Sequence, residues 1–131
     1  MLVGGAAGSL VDHPALALGL GVVSHLPLDM VPHHDLRGYR RDVAITTAVA
    51  AVTVAAAALR GVARPGLWWG MAGGILPDIE NLLWHLGWIE GRYRVFPTHR
   101  EGRIRHGAVR GPSNLVVQAL VGLGAFIFVL R

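Results

Sequence analysis

The chain has 131 residues, enough for one compact domain, so any functional site must be built within a single cluster of elements. Hydrophobic residues make up 53% of it and charged residues only 15%, below the roughly 25% of an average soluble domain. The absence of cysteine excludes disulfides and thiolate metal ligands, which leaves His, Asp and Glu to hold any metal. The net charge of +4 comes from arginines between apolar stretches, so membrane topology explains it without a nucleic-acid partner.

Four apolar stretches approach the length of about 20 residues that a membrane-spanning helix needs. The predicted helices cover residues 14–31, 43–59, 66–88 and 114–130. Pro14 and Pro65 stand at the starts of the first and third, where helices accept proline. Residues 1–11 form a predicted short apolar arm, and residues 89–113 a polar loop rich in Arg and His. The expected fold is an all-α polytopic membrane bundle of four helices, or five if the arm is helical.

The first and third predicted helices begin apolar and turn polar in their second halves, which read SHLPLDMVPHHD and ILPDIENLLWH. Neighbouring spanning helices alternate in direction, so these two polar halves end on the same side of the bilayer and can meet. Nine of the twelve arginines lie in the two loops on that side. Because positively charged loops stay in the cytoplasm, the polar side is predicted to be cytoplasmic.

The spacing of acids and histidines in these halves is typical of a metal site. His25 and Asp29 are four residues apart, so on a helix they share one face. Asp78 and His85 are seven apart and again share a face. Further candidate ligands follow the two helices: His34, His99 and His106. We expect His25, Asp29 and Asp78 to bind a divalent metal, most readily Zn²⁺, with one of the four other histidines.

The energetics of membrane insertion favour such an ion. An acidic residue near the bilayer centre costs about 2.5–3.5 kcal/mol, and Asp29, Asp78 and Glu80 all lie in apolar stretches. A cation shared by both helices would compensate for them. Arginines from the adjacent loop could instead supply the positive charge that compensates these acids. Each of these residues also has an explanation without metal. His25 and Asp29 can form a buried hydrogen bond, Asp78 can cap free backbone groups at a kink at Pro77, and His85 can lie at the membrane interface.

The loop after the third helix is long for a connection and dense in polar groups, FPTHREGRIRHGAVRGPSN, which is typical of a functional or a disordered segment. Arginine can bind two phosphate oxygens at once, so the positive charge of Arg100 and its neighbours suits an anionic substrate. The excess of positive charge in cytoplasmic loops predicts the same arginines without a substrate. Glu80 or a histidine that binds no metal, such as His99, would act as base or proton donor. Glu80 lies about 160° from Asp78 around the helix, which instead favours a pair with an arginine.

Three motifs together resemble those of a family of bacterial inner-membrane proteins described as metal-dependent hydrolases. His25 and Asp29 match a His-x-x-x-Asp element, residues 76–79 match a Leu-Pro-Asp-Ile element, and His99, Arg100 and His106 match a His-Arg…His loop. The likeness covers about a third of the chain. Glu80 stands where the family often has aspartate, and the two loop histidines are seven residues apart instead of closer. The resemblance implies location in the bacterial inner membrane and a metal site.

The function expected from the sequence is metal-assisted hydrolysis of a phosphate ester or lipid-derived substrate at the cytoplasmic face of the bilayer. A metal-binding or transport protein is one alternative, and an adaptor protein whose His–Asp pairs only lock helices together is another. Small residues at Gly19 and Gly21, and at Gly70, Ala72 and Gly74, permit close helix contact within one chain or in a homo-oligomer.

Overall fold

The computed structural model describes residues 1–33, 39–100 and 112–131, together with positions 104 and 107. Over these residues the fold is helical and contains no strand. Five α-helices follow one another: α1 Leu2–Gly8, α2 Pro14–Met30, α3 Tyr39–Leu59, α4 Pro65–His85 and α5 Pro112–Val129. A 3₁₀ turn, Gly91–Tyr93, lies between α4 and α5. The all-α prediction is confirmed, and the N-terminal arm supplies the fifth helix.

Proline and glycine set the ends of the two helices that matter for the site. Val31 takes extended backbone angles because it precedes Pro32, so α2 ends before it. Gly87 has a φ of +73°, and the backbone N–H groups of Gly87 and Trp88 bond to carbonyls of the last turn of α4. The prediction that this helix runs to residue 88 was therefore wrong by three residues.

Helices α1, α2 and α4 pack through glycines rather than large side chains. A Cβ atom at any of these positions would come within 3.1 Å of backbone in a neighbouring segment: Gly4, Gly8, Gly21, Gly66, Gly70, Gly73 and Gly74. Backbones this close allow short polar side chains on α2 and α4 to reach each other. Gly19, by contrast, has no neighbour within 4 Å of such an atom.

Helix α3 contains a candidate membrane span. Arg40–Leu59 is long and apolar enough to cross a bilayer, the one such helix among the described residues, and only 11% of it is buried. Two shorter helical stretches are also apolar, Pro14–Met30 and Ser113–Val129. Helix α4 matches α3 in length, carries Asp78 and Glu80, and is not among the candidate spans. A single span by length and composition is therefore what the structure supports directly.

The C-terminal half of α3 packs against the bundle, and its N-terminal half lines a cavity. Ala57 belongs to a buried apolar cluster with Leu67 and Met71 of α4 and Val129 of α5. Nearer the start of α3, a cavity of about 260 Å³ lies between α1, α2, α3 and α5. This end of α3 lies beside the C-terminal end of α2, where the polar residues are found.

Candidate metal centre

Polar side chains from three segments converge where α2 and α4 pack together. Four of them are at most 9% exposed: His25, Asp29, Thr98 and His99. The other two belong to α4, Asp78 and Glu80. Of the four buried residues, His25 and Asp29 come from α2, and Thr98 and His99 come from the turn at residues 96–100, which folds back over the helices. The sequence expectation that the polar halves of two helices meet is thus met in the structure.

The orientation of the His25 ring is fixed by the backbone of α4. Its Nδ1 lies 3.0 Å from the carbonyl oxygen of Gly74, so the ring N–H at Nδ1 donates to that oxygen. Pro77 has no N–H and disturbs the helical ladder next to Gly74, which opens this turn to an outside donor. In the neutral ring the other nitrogen, Nε2, then carries a lone pair.

The Nε2 atom of His25 faces two carboxylates. It lies 3.2 Å from Oδ1 of Asp29 and 3.5 Å from Oδ1 of Asp78, and it makes no hydrogen bond within the described residues. The side chain of Asp78 is 59% exposed, whereas that of Asp29 is 12% exposed. Asp78 therefore marks the side on which the cluster is open.

His99 is held in the same manner from the opposite side. Its Nδ1 lies 2.9 Å from Oε1 of Glu80, and its Nε2 lies 3.2 Å from Oδ2 of Asp29. Glu80 is itself fixed by the backbone N–H groups of Val95 and Phe96, at 2.7 and 3.0 Å. A carboxylate that accepts the Nδ1 proton directs the lone pair of the ring to Nε2. Glu80 thus positions His99 from behind.

Asp29 connects the two imidazoles, one through each of its oxygens. Its Oδ2 also accepts a hydrogen bond of 2.5 Å from the hydroxyl of Thr98, and its backbone carbonyl accepts the N–H of Gly107 at 2.6 Å. Phe96 covers the cluster, with its ring 5.3 Å from that of His25 and 5.2 Å from that of His99. The Asp29 carboxylate is therefore held by several contacts and is largely buried.

This arrangement places imidazole lone pairs opposite carboxylate oxygens, which repel each other unless a cation or an additional proton lies between them. Ligand atoms at tetrahedral angles around Zn²⁺, with bonds of about 2.0–2.1 Å, are about 3.4 Å apart. The observed separations of 3.2, 3.5 and 3.2 Å match that spacing. One ligand atom each from His25, Asp78 and His99 also lies within 4.8 Å of the other two. The donor set and its spacing suit a divalent cation.

The structure places the other predicted site residues elsewhere or leaves them undescribed. His85 is exposed beside Trp84, with ring centroids 4.7 Å apart, because two helical turns carry it about 10 Å along α4 from Asp78. Arg100 is exposed, and none of the described contacts joins it to the cluster. His34 and His106 lie outside the described residues.

Sequence reasoning missed two contributors to the site and misjudged a third. The only feature of the sequence that pointed to Thr98 was its position next to His99. The only feature that pointed to the Gly74 carbonyl was its position three residues before Pro77. Glu80 was expected to pair with an arginine, yet its described partners are the His99 ring and two backbone amides. The arginine nearest in this loop, Arg94, instead donates to Asn81 and lies over the Trp84 ring.

No protein-family model, no curated protein and no solved structure matches this chain. What defines its class is therefore the architecture and the site: an all-helical protein whose described residues hold one His/Asp/His cluster spaced for a metal ion.

The position of Glu80 behind His99 predicts a large effect of a small substitution. Glu80→Gln removes the charge that fixes the His99 tautomer, so zinc affinity is expected to fall by about 10–100-fold. Competition with a fluorescent chelator, on the full chain in detergent, measures this. Glu90→Gln is the matched control, since Glu90 makes an exposed ion pair with Arg92. Equal affinity in the wild type and Glu80→Gln would show that Glu80 does not position a ligand.

Proposed function

We propose that this protein is a membrane-embedded, metal-dependent hydrolase whose site opens at the cytoplasmic face of the bilayer. The observation that carries the proposal is the orientation of His25 and His99. Each ring donates its Nδ1 proton to a fixed acceptor and turns Nε2 toward the carboxylate of Asp29. Imidazoles that bind catalytic zinc are held in the same way, by an acceptor at the nitrogen remote from the metal.

The ligands in this proposal are His25, His99, Asp29 and Asp78. They supply nitrogen and oxygen donors, and at a catalytic zinc site three of them would bind the ion and leave one position open for water. A bound zinc ion lowers the pKa of its water toward neutrality and polarises the oxygen of an ester. The exposed side of Asp78 gives water and substrate a route to the cluster. Phe96 and the turn that carries His99 shield the other side.

Membrane location is supported by the exposure of apolar side chains on α3 and α5. Val52 is 60% exposed, Leu120 64% and Leu123 55%. A monomeric soluble protein rarely leaves large continuous apolar faces in contact with water, whereas lipid solvates them. The low burial of Arg40–Leu59 also distinguishes it from the core helix of a soluble protein. Together with the loop arginines, these faces support a polytopic bundle in the bacterial inner membrane.

The substrate class proposed is a phosphate ester carried by a lipid or another amphiphile. In the reaction, a water molecule attacks the phosphorus atom, the bond from phosphorus to the ester oxygen breaks, and the alcohol leaves with a proton from that water. Arg100, which is exposed and follows His99 in the sequence, suits the phosphate charge. The motif resemblance to membrane metal-dependent hydrolases supports the same reaction type.

Membrane vesicles test the activity and its sidedness together. Inverted vesicles from cells that produce the chain are expected to hydrolyse a membrane-impermeant phosphate ester, whereas intact spheroplasts are not. Asp29→Asn is expected to reduce the vesicle activity by more than about 100-fold, because Asp29 contacts both imidazoles. Asp12→Asn, in an exposed acid outside the cluster, is the control and should retain activity.

Three results would count against the proposal. Equal hydrolysis by the wild type and Asp29→Asn, or by neither, would contradict catalysis at this cluster. Equal activity in spheroplasts and inverted vesicles would contradict the cytoplasmic opening. A purified wild-type chain without stoichiometric metal, unchanged in stability by a chelator, would favour the adaptor alternative, in which His25 pairs with Asp78 and so locks α2 against α4.

A further inference from the structure

The cavity between α1, α2, α3 and α5 lies beside the candidate metal centre and has the opposite character. Its volume is about 260 Å³, and Thr46 and Gln118 are the two polar side chains in a lining of apolar residues. An apolar cavity of about 150 Å³ is large enough to bind benzene, so this one has room for several methylene groups.

The cavity and the cluster adjoin through two segments. Leu28, which precedes Asp29 in α2, and Val31, which directly follows the helix, both line the cavity. Met1 also lines the cavity, and its backbone packs on Gly74, one helical turn before Asp78. A molecule that places a polar group at Asp78 can therefore extend an apolar part into the space between the helices.

We propose that this cavity binds the alkyl chain of an amphiphilic phosphate ester whose head group reaches the cluster of His25, Asp29, Asp78 and His99. The assignment rests on the proposed function and specifies its substrate class, a single-chain or acyl-bearing phosphate ester. Lipid is the occupant that fits, because the lining is apolar and the opposite end of the site is polar and rich in donor atoms.

Two glycines of α5 give a matched pair of variants. Gly122 lines the cavity, and a Cβ there would lie 3.7 Å from Leu2, an ordinary contact, so phenylalanine is chosen at this position to occupy the cavity. Gly124 has no neighbour within 4 Å of a Cβ and does not line the cavity. Gly122→Phe tests the proposal and Gly124→Phe controls for added bulk on the same helix.

The first measurement compares the kcat/KM values of ethyl and hexyl phosphate, with the zinc-loaded full chain in lipid nanodiscs. Each buried methylene contributes about fourfold, so the wild type is expected to prefer hexyl phosphate by on the order of 100-fold. Gly122→Phe should reduce this ratio at least tenfold and leave ethyl phosphate within about twofold. Gly124→Phe should keep the wild-type ratio. Since all three proteins share the same nanodiscs, lipid partitioning of the substrates cancels between them.

The second measurement does not depend on hydrolysis. Decyl phosphate with a terminal diazirine is photolysed with the wild type and both variants, with and without excess unlabelled decyl phosphate, and the labelled peptides are mapped. Competable labelling near Val49 and Val121, lost in Gly122→Phe and kept in Gly124→Phe, supports the chain-binding site even if no ester is hydrolysed. Equal labelling of all three proteins, or equal kcat/KM ratios, would overturn it. Hydrolysis without chain-length preference would leave the catalytic proposal standing and this one refuted.

Discussion

Replacing Asp29 with asparagine is expected to abolish stoichiometric zinc binding while the protein still folds. Asp29 is the one side chain of the described cluster that contacts Nε2 of both His25 and His99, each at 3.2 Å. Asparagine has nearly the same shape but carries no charge, and its NH₂ group can donate to an imidazole nitrogen where a cation would otherwise bind. The repulsion that favours the cation is thereby removed.

We expect a larger loss of metal affinity than from substitutions of residues that only hydrogen-bond to a ligand, which typically weaken affinity by about 10–100-fold. Metal content of the purified full chain is measured by elemental analysis and affinity by chelator competition. The circular dichroism spectrum should remain helical. Asp12→Asn should retain the wild-type content, since Asp12 is exposed at the start of α2. Full occupancy in Asp29→Asn would remove Asp29 from the ligand set.

A leucine at Gly73 is expected to disrupt the contact between α2 and α4 and, with it, the metal centre. A Cβ at Gly73 would collide with the backbone carbonyl of Leu18, and it would lie 3.1 Å from the Cα of Gly21. Backbone cannot move aside as a flexible side chain can, so the cost should exceed the roughly 1–3 kcal/mol typical of overpacking. The two helices would separate, and His25 would lose the Gly74 carbonyl.

Gly19→Leu is the control because nothing lies within 4 Å of a Cβ at that position. Leucine favours helix over glycine by nearly 1 kcal/mol, so this variant should equal or exceed the wild type in stability. Thermal unfolding in detergent and zinc content are measured for both. Similar melting temperatures for Gly73→Leu and Gly19→Leu would show that the close glycine contact does not hold the helices together.

Local spacing was sufficient to predict the half of the site that lies on α2. His25 and Asp29 are four residues apart in α2, which continues through Pro27, so their relation follows from helical spacing. The meeting of α2 and α4 followed from the alternating direction of neighbouring helices, combined with small residues such as Gly21 and Gly70. These features need no knowledge of loop conformation.

The choice among the candidate histidines could not be made in this way. His99 reaches the cluster because the turn at residues 96–100 folds back over α4, and no local pattern in the loop distinguishes it from His106. The helical angle between Asp78 and Glu80 indicated correctly that they do not share a face. Both residues still belong to the cluster, because Glu80 contacts Nδ1 of His99 while Nε2 of that ring points toward the other side chains of the cluster.

The turn at residues 96–100 also has a consequence for biosynthesis. His25 and Asp29 emerge from the ribosome some 70 residues before His99, and in the finished chain the imidazoles of both histidines meet the same carboxylate. A nascent chain that ends within α4 therefore carries only part of the proposed ligand set. Under that proposal, the full set would form only after the turn at residues 96–100 has folded back over the helices, so cation retention would report that this turn is in place.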